Sequence, residues 1–293
     1  MTSDAMSKDP HIDEVTGVST TGHEWDGIRE LNNPMPRWWV WTFYATIVWA
    51  IAYTIAYPAW PLIKSATGGV LGYSSRQELS RTLEQVAAAQ ADLRSAIAEK
   101  PLAEILADDT LRRFANAAGA SAFKVNCSQC HGSGAQGAAG YPNLNDDEWI
   151  WGGDIESIYH TIAHGVRFAS DEDTRFSEMP AFGDILSSEE TRQIAAYVAS
   201  LSGTPSDPEL AAAGETLYAD NCAACHGAKG EGDPSIGAPS LADAIWLYGS
   251  SEADIAAQIR QPRHGIMPGW LDRLGPTTVK QLAIYVHSLG GGE

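Results

Sequence analysis

Cys127-Ser128-Gln129-Cys130-His131 and Cys222-Ala223-Ala224-Cys225-His226 use every cysteine of the 293-residue chain. Residues three apart on a helical turn share a face, so each segment presents two thiols side by side with an imidazole directly after them. C-x-x-C-H is the pattern of c-type haem attachment. The thiols form thioethers to the haem vinyl groups, and the histidine sits under the iron as the proximal ligand. A thioredoxin-like redox pair would need a βαβ context, and the sequence shows none. A zinc site built from two C-x-x-C knuckles is normally a shorter unit and does not require a histidine after both pairs. Two covalent haems account for all six residues.

The surroundings of the two motifs repeat. His131 and His226 are 95 residues apart, Pro142-Asn143-Leu144 and Trp149 recur as Pro239-Ser240-Leu241 and Trp246 at offset 97, and Ile194–Val198 recurs as Leu282–Val286 at offset 88. An internal repeat of this length predicts two similar domains in tandem. Each copy reads as a helix leading into C-x-x-C-H, a Gly-rich loop, a short helix, a Met-Pro loop and a terminal helix. The join is expected near the turn-forming run Ser202–Pro208.

Of five methionines, only Met179 and Met267 follow a haem motif, and each stands directly before a proline late in its copy. A thioether is the usual distal partner of histidine in electron-transfer cytochromes c and raises the potential. Methionine is otherwise core filler. The matching positions predict axial ligands, Met179 with His131 and Met267 with His226, although the sequence does not prove that each binds the haem of its own copy. His160 and His164 lie four apart on a predicted helix and could share a face. His264 is a rival ligand, and His287 reads as a surface or packing group.

No charged residue occurs between Arg37 and Lys64, and Trp38–Tyr57 reads WWVWTFYATIVWAIAYTIAY. Twenty residues at ~1.5 Å each span about 30 Å, the hydrocarbon thickness of a bilayer. Trp38, Trp39 and Trp41 at one end, and Tyr53, Tyr57 and Trp60 at the other, suit the two interfaces, and Pro58 and Pro61 stop the helix. An acidic 36-residue segment precedes the apolar run, which favours an uncleaved anchor over a cleaved signal peptide. Beyond it, Ser75 and Glu78 suggest a capping box. Leu79, Leu83, Val86, Leu93 and Ile97 form a narrow seam with Gln90 as its polar break. One linker helix of roughly seven turns is expected, ending at Lys100-Pro101.

With 37 acidic and 19 basic residues the formal charge is −18. That argues against binding nucleic acid, whose phosphates need a Lys/Arg surface. Residues 126–293 hold 23 acids against eight bases. Such a field would draw a basic partner and repel an acidic one.

The repeats resemble class I cytochromes c. In that class the proline carbonyl of a P-x-L segment holds the proximal histidine, which implies this role for Pro142 and Pro239 and haem-edge packing for Leu144 and Leu241. The segments Asp26–Trp39 and Tyr57–Pro61 resemble the approach to and exit from the membrane in the CcoP/FixP family, the dihaem subunit of cbb3-type cytochrome c oxidase. The likeness covers about residues 24–293.

It implies a mainly α protein divided into a cytoplasmic segment 1–36, an anchor 37–61, a periplasmic linker 62–107 and cytochrome c domains 108–203 and 204–293. It also implies a place in the bacterial inner membrane, with both haem c groups in the periplasm. Single electrons would pass from a soluble or membrane-anchored cytochrome c donor towards a monohaem cytochrome c subunit and a haem-copper catalytic subunit. This chain itself would reduce no oxygen and contribute no catalytic residue. A free membrane-anchored dihaem shuttle is the first alternative. A dihaem peroxidase or a haem-based gas sensor would need an open iron, against which a methionine in both copies speaks.

Overall fold

The computed structural model describes residues 12–203 and 205–291. Residues 1–11 of the expected cytoplasmic segment lie outside the described residues. The chain divides into two compact units, up to Ala88 and from Ala89 onwards.

The first unit begins with a hairpin that the sequence reading did not anticipate, β1 (Thr20–Trp25) paired antiparallel with β2 (Ile28–Leu31). Its tight turn is made possible by left-handed backbone at Asp26 and Gly27, where glycine meets no Cβ penalty. Helix α1 (Arg37–Ala56) follows, with none of its side chains buried and a mean hydropathy of 1.4 over its most apolar 18 residues. It is long and apolar enough to cross a membrane. Tyr57 is extended, as a residue before proline must be. The returning loop donates from Val70 N and Leu71 N to the carbonyls of Ile55 and Ala56, at 2.9 and 3.1 Å, so the helix end is not left with orphan acceptors.

The linker departs from expectation. It forms two helices, α2 (Ser75–Ala89) and α3 (Ala91–Glu99), broken at the polar Gln90. Leu79, Leu83 and Val86 are exposed, whereas Leu93 and Ile97 join a core of the second unit. The apolar seam therefore serves two different surroundings and has no reason to stay one straight rod. The cap is also one residue earlier than expected. Ser74 Oγ accepts from Gln77 N at 3.4 Å, and the Ser74 carbonyl accepts from Glu78 N.

In the second unit, α4 (Leu102–Ala107) leads into α5 (Asp109–Asn126), whose first turn is capped by the Asp108 carboxylate. Helix α6 (Ser128–His131) carries the first haem motif and α7 (Ile155–His164) is capped by Asp154. Helix α8 (Ser188–Ser202) opens on a capping box of Ser187 and Glu190. Helix α9 (Pro208–Asn221) has Asp207 as its cap and proline at its start. Helix α10 (Ala223–His226) carries the second motif, and α11 (Glu252–Arg260) is capped by Ser251. Helix α12 (Leu271–His287) kinks at Gly275, where φ is +76°, and restarts at Pro276.

The expected join falls between α8 and α9, yet those two helices pack on each other. The two copies exchange their C-terminal halves. One core gathers Phe123, Ile158 and Ile162 from the first copy with Val279, Leu282 and Val286 from the second. The other gathers Ile194 and Val198 from the first with Tyr218, Ile255 and Ile259 from the second. The crossing is symmetric in detail. Trp270 N donates to Ile162 O at 3.0 Å, and Phe182 N donates to Ile259 O at 3.0 Å. Phe123 packs on Tyr285 and Tyr218 on Tyr197, with ring centroids 5.4 and 5.1 Å apart, so both terminal-helix tyrosines lie between helices. Lys280 on α12 extends to α3, where its ammonium donates to the carbonyls of Ile97, Ala98 and Lys100 and satisfies that helix end.

Glycine permits both helix crossings. A Cβ on Gly119 of α5 would come within 2.1 Å of the Gln281 carbonyl on α12, and one on Gly214 of α9 within 2.1 Å of the Gln193 carbonyl on α8. Gly119→Ala should therefore push α5 and α12 apart and cost about 1–3 kcal/mol. A denaturant melt of the purified chain should show an earlier midpoint; an unchanged midpoint would mean that the crossing is loose.

Candidate functional site

Each haem motif is a single helical turn built to one plan. Cys130 N and His131 N both donate to Cys127 O, at 3.1 and 3.0 Å, and Cys225 N and His226 N repeat this on Cys222 O at the same distances. The turn places both sulfurs of a pair on one side. It ends at Gly132 and Gly227, whose φ values of +82° and +81° only glycine adopts freely. The chain then folds back, with Gly137 N donating to His131 O and Gly232 N to His226 O, both at 2.8 Å.

The P-x-L segments close against this turn. His131 Nδ1 lies 3.0 Å from the Pro142 carbonyl, and His226 Nδ1 lies 3.0 Å from the Pro239 carbonyl. A carbonyl can only accept, so Nδ1 carries the proton and Nε2 keeps its lone pair for a metal. Burial lowers both histidine pKa values, against the opposing pull of these hydrogen bonds. Burial, helped by the neighbouring Cys130 and Cys225, pushes the thiols of Cys127 and Cys222 up to about 11. Leu144 packs on the core that holds Cys127, and Leu241 on the core that holds Cys222.

The two methionines pack on different cores. Met267 packs on the core of Cys127, Leu144 and Trp149, and its backbone bonds Val166 in both directions at 2.9 and 3.0 Å. Met179 packs on the core of Cys222, Leu241 and Trp246. Each methionine thus packs in the core that holds the other copy's first cysteine, through the same exchange that swaps the terminal helices. His264, the rival ligand, is exposed. His160 and His164 do share a face, with rings 4.8 Å apart, and His164 Nδ1 lies 3.1 Å from the Asp171 carboxylate.

This donor set fits a haem c in each core. Two thiols share a turn, an imidazole has its far nitrogen free, and a thioether is held in the same apolar cluster. The two cysteine pairs belong to separate cores, so they do not converge on one zinc ion. Sequence reasoning missed Gly119 and Gly214, although they recur at the same 95-residue offset as the histidines.

Comparison with known proteins agrees with this site. The N-terminal domain of cytochrome oxidase-cbb3, FixP, matches residues 17–64. Cytochrome C oxidase, cbb3-type, subunit III, matches residues 114–198 and again 209–286. The chain is similar to the cbb3-type cytochrome c oxidase subunit FixP of Rhizobium meliloti (strain 1021), with 62% identity over 98% of this chain and 99% of that one. It is similar to subunit FixPc of Rhizobium leguminosarum bv. viciae, with 63% identity over 96% and 98%. It is also similar to subunit CcoP of Cereibacter sphaeroides (strain ATCC 17023), with 53% identity over 98% and 100%. A membrane-length helix followed by two cytochrome c units whose cysteine pairs imply haem c binding is thus matched along nearly its whole length, and the chain belongs to the FixP/CcoP family, the electron-transfer cytochrome c subunit of cbb3-type cytochrome c oxidase.

Proposed function

We propose that the chain holds two covalent haem c groups, one on Cys127 and Cys130 with His131 and Met267 as axial ligands, the other on Cys222 and Cys225 with His226 and Met179. The observation that carries this reading is the packing of each methionine in the core of the other copy's cysteine pair. When bound, each haem c supplies an iron that takes up and gives up one electron. The protein's part is to keep that exchange reversible and dry. The proline carbonyls of residues 142 and 239 fix the imidazole orientation, the thioethers favour the reduced state, and the clustered apolar side chains exclude water.

Within the oxidase complex, the chain relays electrons from a periplasmic cytochrome c donor to the monohaem cytochrome c subunit and on to the haem-copper subunit. Helix α1 anchors it in the bacterial inner membrane, with everything after about residue 61 in the periplasm. The absence of charge from Trp38 to Ile63 supports the anchor, and the acidic excess of residues 126–293 supports a basic donor. Purification in mild detergent tests the assembly. The chain should co-purify with haem b and copper, and a pyridine haemochrome assay of the isolated chain should count two c-type haems. Haem released by acidified organic solvent, or a chain that never travels with haem b and copper, would overturn it.

A further inference from the structure

The exchanged halves are joined where the chain leaves α7, and one side chain there reaches both methionine loops. Val166 pairs with Met267 in both directions. The next residue, Arg167, has φ +52°, a left-handed conformation that strains any residue with a Cβ and persists only where the surroundings hold it. Its backbone N–H donates to Arg175 O at 2.8 Å. Its guanidinium is half-buried. Nε donates to the Gly265 carbonyl at 2.7 Å, and Nη1 donates to the Ser177 carbonyl at 2.9 Å.

These two acceptors are equivalent positions of the two copies. Gly265 stands two residues before Met267, Ser177 stands two residues before Met179, and they are 88 residues apart, the offset of the C-terminal halves. An arginine that merely tidied its own loop would have no reason to divide its donors between two loops at the same remove from two sulfurs. A planar guanidinium is suited to this, since its donors leave in fixed directions, and bonds from a charged donor are stronger than neutral ones.

We propose that Arg167 is a positioning residue shared by both haem pockets, its forked guanidinium holding the Met179 and Met267 loops together so that one side chain sets the strength of both sulfur caps. This rests on the crossed axial ligation proposed above. It adds a coupling: whatever loosens Arg167 loosens both methionines.

Exogenous imidazole competes with methionine for the oxidised iron, so its binding reads how firmly each loop is held. The full-length oxidised chain in detergent should be titrated with imidazole while the sulfur-to-iron charge-transfer absorption is followed. Losing a charged hydrogen bond to each loop should let Arg167→Gln bind imidazole roughly tenfold more tightly across the whole of that absorption. Arg167→Lys, which keeps the charge but not the fork, should shift it the same way by less. Arg175→Gln, on the same loop but bonded to the Ser157 carbonyl, should leave the titration unchanged.

A shift confined to half the absorption, no shift, or an equal shift in Arg175→Gln would overturn the proposal. Should Arg167→Gln carry fewer than two haems, Arg167→Lys decides by the same criteria. Wild-type protein without the charge-transfer absorption would instead sink the ligation reading, before any variant is made.

Discussion

Met267→Leu should abolish the sulfur ligation of the haem carried by Cys127 and Cys130 and leave the haem on Cys222 and Cys225 untouched. Leucine nearly conserves volume, so the packing cost stays below about 1.5 kcal/mol and the effect is electronic. The affected haem should fall in potential by on the order of 0.1 V or more, a fraction of the roughly 0.8 V over which axial ligands act. A background in which Cys127 and Cys130 are replaced by alanine makes the assignment decisive, because only the second haem remains. There, Met267→Leu should change nothing and Met179→Leu should remove the charge-transfer absorption. The reverse result would restore pairing within each copy. Met267 sits with Cys127 and Leu144 in one apolar cluster while Met179 sits with Cys222 and Leu241 in another, which fixes the direction of the expectation.

A chain ending at Gly203 should fail to fold its first haem unit, although it keeps the whole first copy. It loses α12, and with it Val279, Leu282, Ile284 and Val286, all fully or almost fully buried against α4, α5 and α7. Four such side chains contribute roughly 6–12 kcal/mol of burial, comparable with the entire stability of a domain. Helix α8 would meanwhile expose Ile194 and Val198, whose partners lie on α9 and α11. Limited proteolysis and a denaturant melt of the truncated chain should show early cleavage and no cooperative transition. A sharp transition like that of the full chain would mean that the first copy closes on itself.

The turn that carries each cysteine pair was legible because it is local. Cys127, Cys130 and His131 occupy one turn, so spacing alone brings them together, whereas the part played by Pro142 followed from the resemblance to class I cytochromes c. The anchor was legible for the same reason, since twenty uncharged residues are a property of one continuous stretch. The core that each methionine enters was not. Met179 and Met267 stand in equivalent loops of equivalent copies, and any local rule that places one sulfur near one iron places it equally well near the other. The change of offset from 97 to 88 between the P-x-L segments and the terminal helices did mark the stretch where the chains cross. It recorded a difference in length, however, and not a destination. The long linker helix was misjudged because an apolar seam does not say whether its two ends face the same neighbour, and here Val86 and Ile97 do not.

The interleaving also orders events in time. Helices α8 and α9 are separated by residues 203–207 alone, whereas residues 127–270 intervene between α5 and α12. Closing the longer loop costs about 3 kcal/mol more in chain entropy. A polypeptide threaded out from its amino terminus can therefore bring α8 and α9 together before α12 is made. The core beside Cys127, first to emerge, lacks Val279, Leu282 and Val286 until α12 arrives, and so stands open longest.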